Sequence, residues 1–142
     1  MNLNIILAVF LIPFIISDLR EKRIYSEALF LLFLLGLILQ YITKFNSFFD
    51  ILGGMITGII LLCFSMISHE KIGLGDSFIF IITGVWLGTI NNLFILIISF
   101  FLAGFFGIIF CLIRKKDKSF QIPFVPFIFI SLLVLIFLSK GG

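Results

Sequence analysis

Seven acidic residues are available for chemistry in this 142-residue chain, and two of them stand out by position. Asp18 follows an apolar run after a single serine, and Asp76 directly precedes another apolar run. Two carboxyl groups brought close together suit hydrolysis, because like charges at short range cannot both ionise and the pair then shares a proton. The ionised member acts on a water as a general base, and the protonated member hydrogen-bonds the attacked carbonyl. This chemistry requires neither a metal nor a cofactor, so we predict none.

The other candidate groups have simpler interpretations. Three acids lie in basic loops, where ion pairing with neighbouring Lys or Arg is expected; these are Glu21, Glu70 and Asp117. Two others flank apolar runs and are interpreted as interfacial caps or anchors; these are Glu27 and Asp50. The single histidine, His69, is interpreted as a loop residue near the membrane surface. Cys63 and Cys111 each lie inside an apolar run without metal-ligand spacing, so we interpret both as small apolar side chains.

The composition indicates what kind of protein must position the two acids. Hydrophobic residues make up 62% of the chain and charged residues 12%, and the mean hydropathy is +1.35. A soluble domain carries about 25% charged residues, so soluble and disordered chains are both excluded. We predict an all-α polytopic membrane protein that forms a single domain over residues 1–142. The net charge of +3 concerns orientation in the bilayer and does not indicate a nucleic-acid partner.

Charged and polar clusters divide the sequence into six apolar blocks, which predicts about six transmembrane helices. The blocks cover residues 3–16, 28–42, 51–67, 77–90, 93–113 and 122–138. Blocks one and four offer only about 14 apolar residues, or about 21 Å of helix, against a hydrocarbon core of about 30 Å. Asn91 and Asn92 are predicted to form the connection between blocks four and five.

The distribution of basic residues predicts the orientation. With six spans, the first, third and fifth loops share one side of the membrane, and only Lys44 and Lys140 lie on the other. The basic residues of those three loops are Arg20, Lys22, Arg23, Lys71, Arg114, Lys115, Lys116 and Lys118. Excess Lys and Arg marks the cytoplasmic side, so both termini are predicted to lie outside. Asp18 and Asp76 then lie at similar depth near the inner boundary, where an ionisable residue is a functional candidate.

Asp76 ends the sequence GLGD at residues 73–76. Two glycines before an acid allow irregular backbone and close approach of another chain, which is tolerated at membrane depth beside a cavity or buried in protein. The alternative interpretation is a loop followed by an N-cap aspartate. The four residues alone do not decide between these alternatives.

Three segments together resemble the type IV prepilin leader peptidases, the membrane aspartyl proteases of the GxGD type. Residues 18–24 (DLREKRI) are similar to the family's DLRxRRIPN stretch. Residues 73–76 (GLGD) and 84–88 (GVWLG) are similar to its GxGDxK segment and the GxWLG that follows. Residues 122–127 (IPFVPF) are similar to its IPFGPF before the last span. The segments occur in the family's order and spacing over nearly the whole chain.

The resemblance implies an aspartyl endopeptidase with Asp18 and Asp76 as its catalytic pair. The implied substrate is a prepilin or pseudopilin, cut at the cytoplasmic face of a bacterial inner membrane between its basic leader and its hydrophobic helix. The implied site-shaping residues are those of the cleft and of the start of the last helix, namely Gly73, Gly75, Pro123 and Pro126.

The chain departs from the family pattern at several positions. Tyr25 and Ser26 replace Pro-Asn, Phe78 stands where the family usually has Lys, and Val125 replaces a Gly. Loss of the Lys removes a positive charge that could steady an ionised pair. The chain also lacks the N-terminal region associated with methylation in bifunctional members, so we expect peptidase activity without N-methyltransferase activity. Such short forms are associated with tight-adherence, Flp-like and other pilus systems.

Two other functions are compatible with the same residues. A small carrier would use Asp18 and Asp76 as proton or cation sites, although no inverted repeats are evident. A non-catalytic pilus-assembly scaffold would bind prepilin without cutting it, and the changes at Phe78 and Val125 suggest this alternative. The sequence is also compatible with a homo-oligomer.

Overall fold

The computed structural model describes residues 3–21, 26–67, 73–113 and 123–141. Within these ranges the chain forms six α-helices and no strand, which confirms the predicted all-α class. The helices are α1 (Leu3–Glu21), α2 (Ser26–Thr43), α3 (Phe48–Ile67), α4 (Leu74–Leu87), α5 (Thr89–Ile113) and α6 (Val125–Gly141). Each predicted apolar block corresponds to one of these helices.

Four of the described helices, α1, α2, α3 and α5, are long and apolar enough to cross a membrane. Helix α1 has 19 residues because it continues past the first apolar block through the mainly polar segment 17–21. The helix is therefore long enough to cross a membrane although the apolar block alone is short. Large apolar side chains such as Phe101 (74% exposed) and Ile60 (63% exposed) face outwards, as lipid contact requires. These features confirm a polytopic membrane protein.

Helix α4 is short, with 14 residues, and it lies at the centre of the bundle. It packs against α1, α2, α3 and α5, and nine of its residues are buried. At its C-terminal end the Gln40 amide donates to the carbonyl oxygens of Val85 (3.0 Å) and Trp86 (2.9 Å). Because side chains satisfy these carbonyl groups, a helix of about 21 Å can end within protein without reaching water.

The predicted connection at Asn91 and Asn92 is wrong. Helix α4 ends at Leu87, and α5 begins at Thr89. Gly88 between them caps α4 with a φ of 79°, a conformation that glycine tolerates well. Both asparagines therefore lie inside α5. The Thr89 N–H donates to Asp50 Oδ1 over 2.9 Å, so Asp50 caps α5. Asp50, predicted to be an interfacial cap or anchor, lies in the first turn of α3 and caps the neighbouring helix α5.

Asn92 is fully buried and joins three helices. Its amide group donates to the carbonyl oxygens of Gly54 on α3 (3.0 Å) and Phe80 on α4 (3.1 Å). Its side-chain oxygen accepts from the Thr83 hydroxyl over 2.7 Å. Asn92, which the sequence pattern assigned to a connection, therefore links α3, α4 and α5 by hydrogen bonds within the apolar core.

We expect Asn92→Ala to destabilise the bundle by about 2 kcal/mol, because interhelical hydrogen bonds in membranes each contribute about 0.6 kcal/mol and several are lost together. Thermal unfolding in detergent measures the change. The matched control is Asn91→Ala, which removes one bond to Leu87 O within the same region of chain. Equal effects of the two substitutions would show that the bridge has no special role.

Candidate active site

Asp18 extends the buried face of α1. The buried residues Leu3, Leu7, Leu11 and Phe14 recur every three or four positions, and Asp18 is the next position on this face. Its side chain is only 8% exposed. The periodicity that buries the apolar side chains of α1 thus also turns the carboxyl group of Asp18 into the bundle.

Asp76 lies in the first turn of α4 and is half-buried. The N-cap residue of α4 is Gly73, so the alternative interpretation of Asp76 as an N-cap aspartate is wrong. A Cβ atom at Gly73 would lie 2.8 Å from Asp76 Oδ2, closer than van der Waals contact allows. The glycine therefore leaves space that the carboxyl group of Asp76 occupies. Gly75, also half-buried, lies between them in the same turn.

The structure brings Asp18 and Asp76 to the same end of the bundle, near the C-terminus of α1 and the N-terminus of α4. Because both lie at this end of the bundle, the charge of Asp18 acts electrostatically on the carboxyl group of Asp76. Both are removed from bulk solvent to a large degree, so this interaction is weakly screened. Ionisation of one of these carboxyl groups therefore opposes ionisation of the other.

The start of α6 forms a third wall of this site. The backbone N–H of Val125 donates to Asp18 Oδ2 over 3.1 Å. Pro123 lies two residues before the start of this helix, and Pro126 is the second residue in it. The ring of Phe124 packs against Phe80 of α4, with 6.0 Å between ring centroids. Three chain segments that are far apart in sequence thus meet around the two acids.

Phe78, which stands where the family usually has Lys, lies in the first part of α4 close to Asp76. Phe78 is 47% exposed and lies two residues after Asp76. Residues two apart on a helix do not face each other, so Phe78 lies off the face of α4 that carries Asp76.

Sequence reasoning missed the part played by the main chain of Val125, which it treated only as a departure from Gly. The side chain of Val125 is fully buried, but it is the N–H, present in either residue, that contacts Asp18. The two prolines around it were the available signal, because they restrict which backbone N–H groups can donate.

Some predicted features lie outside the described residues. These are His69, the basic residues of the three loops other than Arg20, and the segment that includes Tyr25. Within the described ranges, no group of three or more His, Cys, Asp or Glu side chains is placed to hold a metal ion.

The helical bundle and its buried acids are typical of a membrane-embedded hydrolase. Residues 5–113 match the model of the type IV leader peptidase family, and because this match covers most of the chain, the chain belongs to that family. The match includes Asp18, Asp76 and the GVWLG segment, and it ends before the start of α6. No curated protein and no solved structure matches the chain.

Proposed function

We propose that the chain is an aspartyl endopeptidase that removes the basic leader from type IV prepilin-like precursors, with Asp18 and Asp76 as the catalytic pair. Membership of the leader peptidase family supports the general activity. The observation that carries the assignment of the site is that α1 packs against α4, with Asp18 in the last turn of α1 and Asp76 in the first turn of α4.

The proposed chemistry is a direct attack of water on the scissile peptide. The ionised carboxylate takes a proton from the water, and the resulting hydroxide oxygen bonds to the carbonyl carbon. The other, protonated carboxyl group donates to the carbonyl oxygen and stabilises the tetrahedral intermediate. When the C–N bond breaks, the first carboxyl group returns its proton to the leaving amine. No covalent bond to the enzyme forms.

The neighbouring residues have supporting roles in this proposal. Gly73 and Gly75 leave room beside Asp76 for an extended substrate backbone, because neither carries a side chain. Pro123 and Pro126 set the direction in which α6 begins, close to Asp18. Both elements shape the cleft without taking part in proton transfer.

The proposed partners are a prepilin or pseudopilin precursor and the lipid bilayer. The proposed location is a bacterial inner membrane, with the site near the cytoplasmic side. The supporting observation is the excess of basic residues in the sequence at the end of α1 and in the segments that follow α1, α3 and α5. Asp18 and Asp76 lie next to the first two of these segments in the sequence. A prepilin presents its own basic leader on that side, before its hydrophobic helix.

The test is cleavage of a co-expressed type IV prepilin, followed with purified components in liposomes. We expect the wild-type protein to release the leader at one peptide bond, and mass spectrometry of the product locates the new amino terminus. The mass of the product also tests the predicted lack of methylation there.

Two outcomes would contradict the proposal. Binding of the prepilin without any cleavage would indicate a scaffold. An ion flux in the same liposomes that depends on Asp18 and Asp76, without cleavage, would indicate a carrier.

A further inference from the structure

We infer that the backbone N–H of Val125 is a positioning group for Asp18, and that the segment 123–126 serves to direct this one donor at the carboxylate. The contact is a hydrogen bond of 3.1 Å from Val125 N to Asp18 Oδ2, and it joins residues 107 positions apart. The inference rests on the proposed function, in which Asp18 belongs to the catalytic pair.

The sequence around Val125 leaves this donor free to reach Asp18. The N–H groups in the first turn of an α-helix have no partners within the helix. Pro126 carries no N–H, and the N–H of Phe127 donates to Phe124 O over 3.0 Å. Of the first three residues of α6, Val125 is therefore the one whose N–H remains for a partner outside the helix, and Asp18 takes it.

The electrostatics of the two helix ends favour this contact. Asp18 lies in the last turn of α1, where the partial negative charge of a helix C-terminus opposes a carboxylate. The N-terminus of α6 presents the opposite partial charge to the same side chain. The start of α6 thus stabilises the negative charge on Asp18 that the end of α1 disfavours.

The start of α6 is itself fixed to the helix that carries Asp76. The Phe124 ring lies 6.0 Å from that of Phe80, which follows Asp76 by one helical turn on the same face of α4. It also lies 5.2 Å from the ring of Phe100 on α5. The Val125 side chain itself is fully buried.

These contacts give α6 a specific role in the site. Helix α1 packs on α6 more extensively than on α4, so the direct contact between the two acid-bearing helices is limited. The hydrogen bond to Asp18 and the aromatic contact with Phe80 connect both of those helices to one short segment. The separation of the two carboxyl groups is therefore set through the start of α6.

The first test compares Val125→Pro with Val125→Ala. Proline removes the N–H and suits the first position of a helix, whereas alanine keeps the N–H and removes side-chain packing. We expect Val125→Pro to lower kcat for prepilin cleavage roughly 100-fold with little change in KM, as for a misplaced catalytic group. Val125→Ala, which keeps the N–H, should lose clearly less kcat than Val125→Pro when both are compared at the same folded fraction.

A second variant covers the case in which Val125→Pro does not fold. Replacement of the peptide bond between Phe124 and Val125 by an ester removes the same N–H and keeps the valine side chain. The ester variant should show the same loss of kcat. Wild-type kcat in the ester variant, or an equal loss in Val125→Ala, would overturn the inference.

A double-mutant cycle on thermal unfolding separates this inference from the proposed function. If Asp18 and Val125 interact, Asp18→Ala changes the melting temperature by different amounts in the wild-type and Val125→Pro backgrounds. Equal changes would overturn the inference even if prepilin is cleaved. Unequal changes in a protein that cuts no prepilin would support the contact and reject the proposed function.

Discussion

Asp18→Asn and Asp76→Asn are each expected to lower the rate of prepilin cleavage by about 10²–10⁴-fold, the usual contribution of a positioned general acid or base. Asparagine has nearly the shape of aspartate but cannot exchange a proton with water or substrate. At position 18 it still presents an oxygen to the Val125 N–H, so the contact with α6 is kept while the chemistry is lost. In-membrane cleavage assays with both variants measure the effect.

The two substitutions together should cost little more than either alone, because residues that act as one catalytic unit are strongly non-additive. The chain offers matched acid-to-amide controls in Glu27→Gln and Asp50→Asn. Glu27 is exposed in the first turn of α2, and an asparagine at position 50 can still accept the Thr89 N–H. Full cleavage by Asp18→Asn or Asp76→Asn, or an equal loss in the controls, would reject the catalytic pair.

The sequence was sufficient to predict the features that depend on local pattern. Apolar blocks predicted the six helices, and alternation of the blocks across a bilayer placed Asp18 and Asp76 at one end. The GLGD segment suggested backbone suited to the close approach of another chain, and in the structure Gly73 leaves space for the carboxyl group of Asp76. Each of these conclusions uses only hydropathy, charge and the geometry of glycine.

Other features depend on contacts between distant residues, which no local pattern contains. Asn92 looks like a loop residue beside Asn91, because a buried amide is stable only when partners such as Gly54 O and Phe80 O are supplied by other helices. In the same way, the N–H of Val125 acquires its role from Asp18 on another helix. Such polar contacts in the core were beyond prediction from one sequence.

The second large effect is expected at the contact between α3 and α4, where Gly84→Val should prevent stable folding. The backbones of Gly54 and Gly84 touch directly, and a Cβ atom at Gly84 would overlap the Gly54 carbonyl. Gly58 follows Gly54 by four residues on the same face of α3 and similarly meets the backbone of Ile81. Small residues at this spacing are typical of closely packed membrane helices.

Because the obstacle at Gly84 is main chain, no rotation of a side chain can relieve it, and the helices must separate. We expect a loss of at least about 3 kcal/mol, the upper part of the range for overpacked cores. The displaced helix is the one that carries Asp76, so cleavage should fall with the folded fraction. Thermal unfolding in detergent and cleavage in liposomes measure the two effects.

Gly104→Ala is the matched control, because an added Cβ there meets no atom of the described residues within 4 Å. Alanine is favoured over glycine within a helix by about 0.5–1 kcal/mol, so this variant should be as stable as the wild type or more so. A general intolerance of β-carbons at helical glycines would instead destabilise both variants. If Gly84→Val melts like the wild type, the helices α3 and α4 do not approach as closely as the Gly54–Gly84 contact requires, and the position of Asp76 beside Asp18 loses its structural basis.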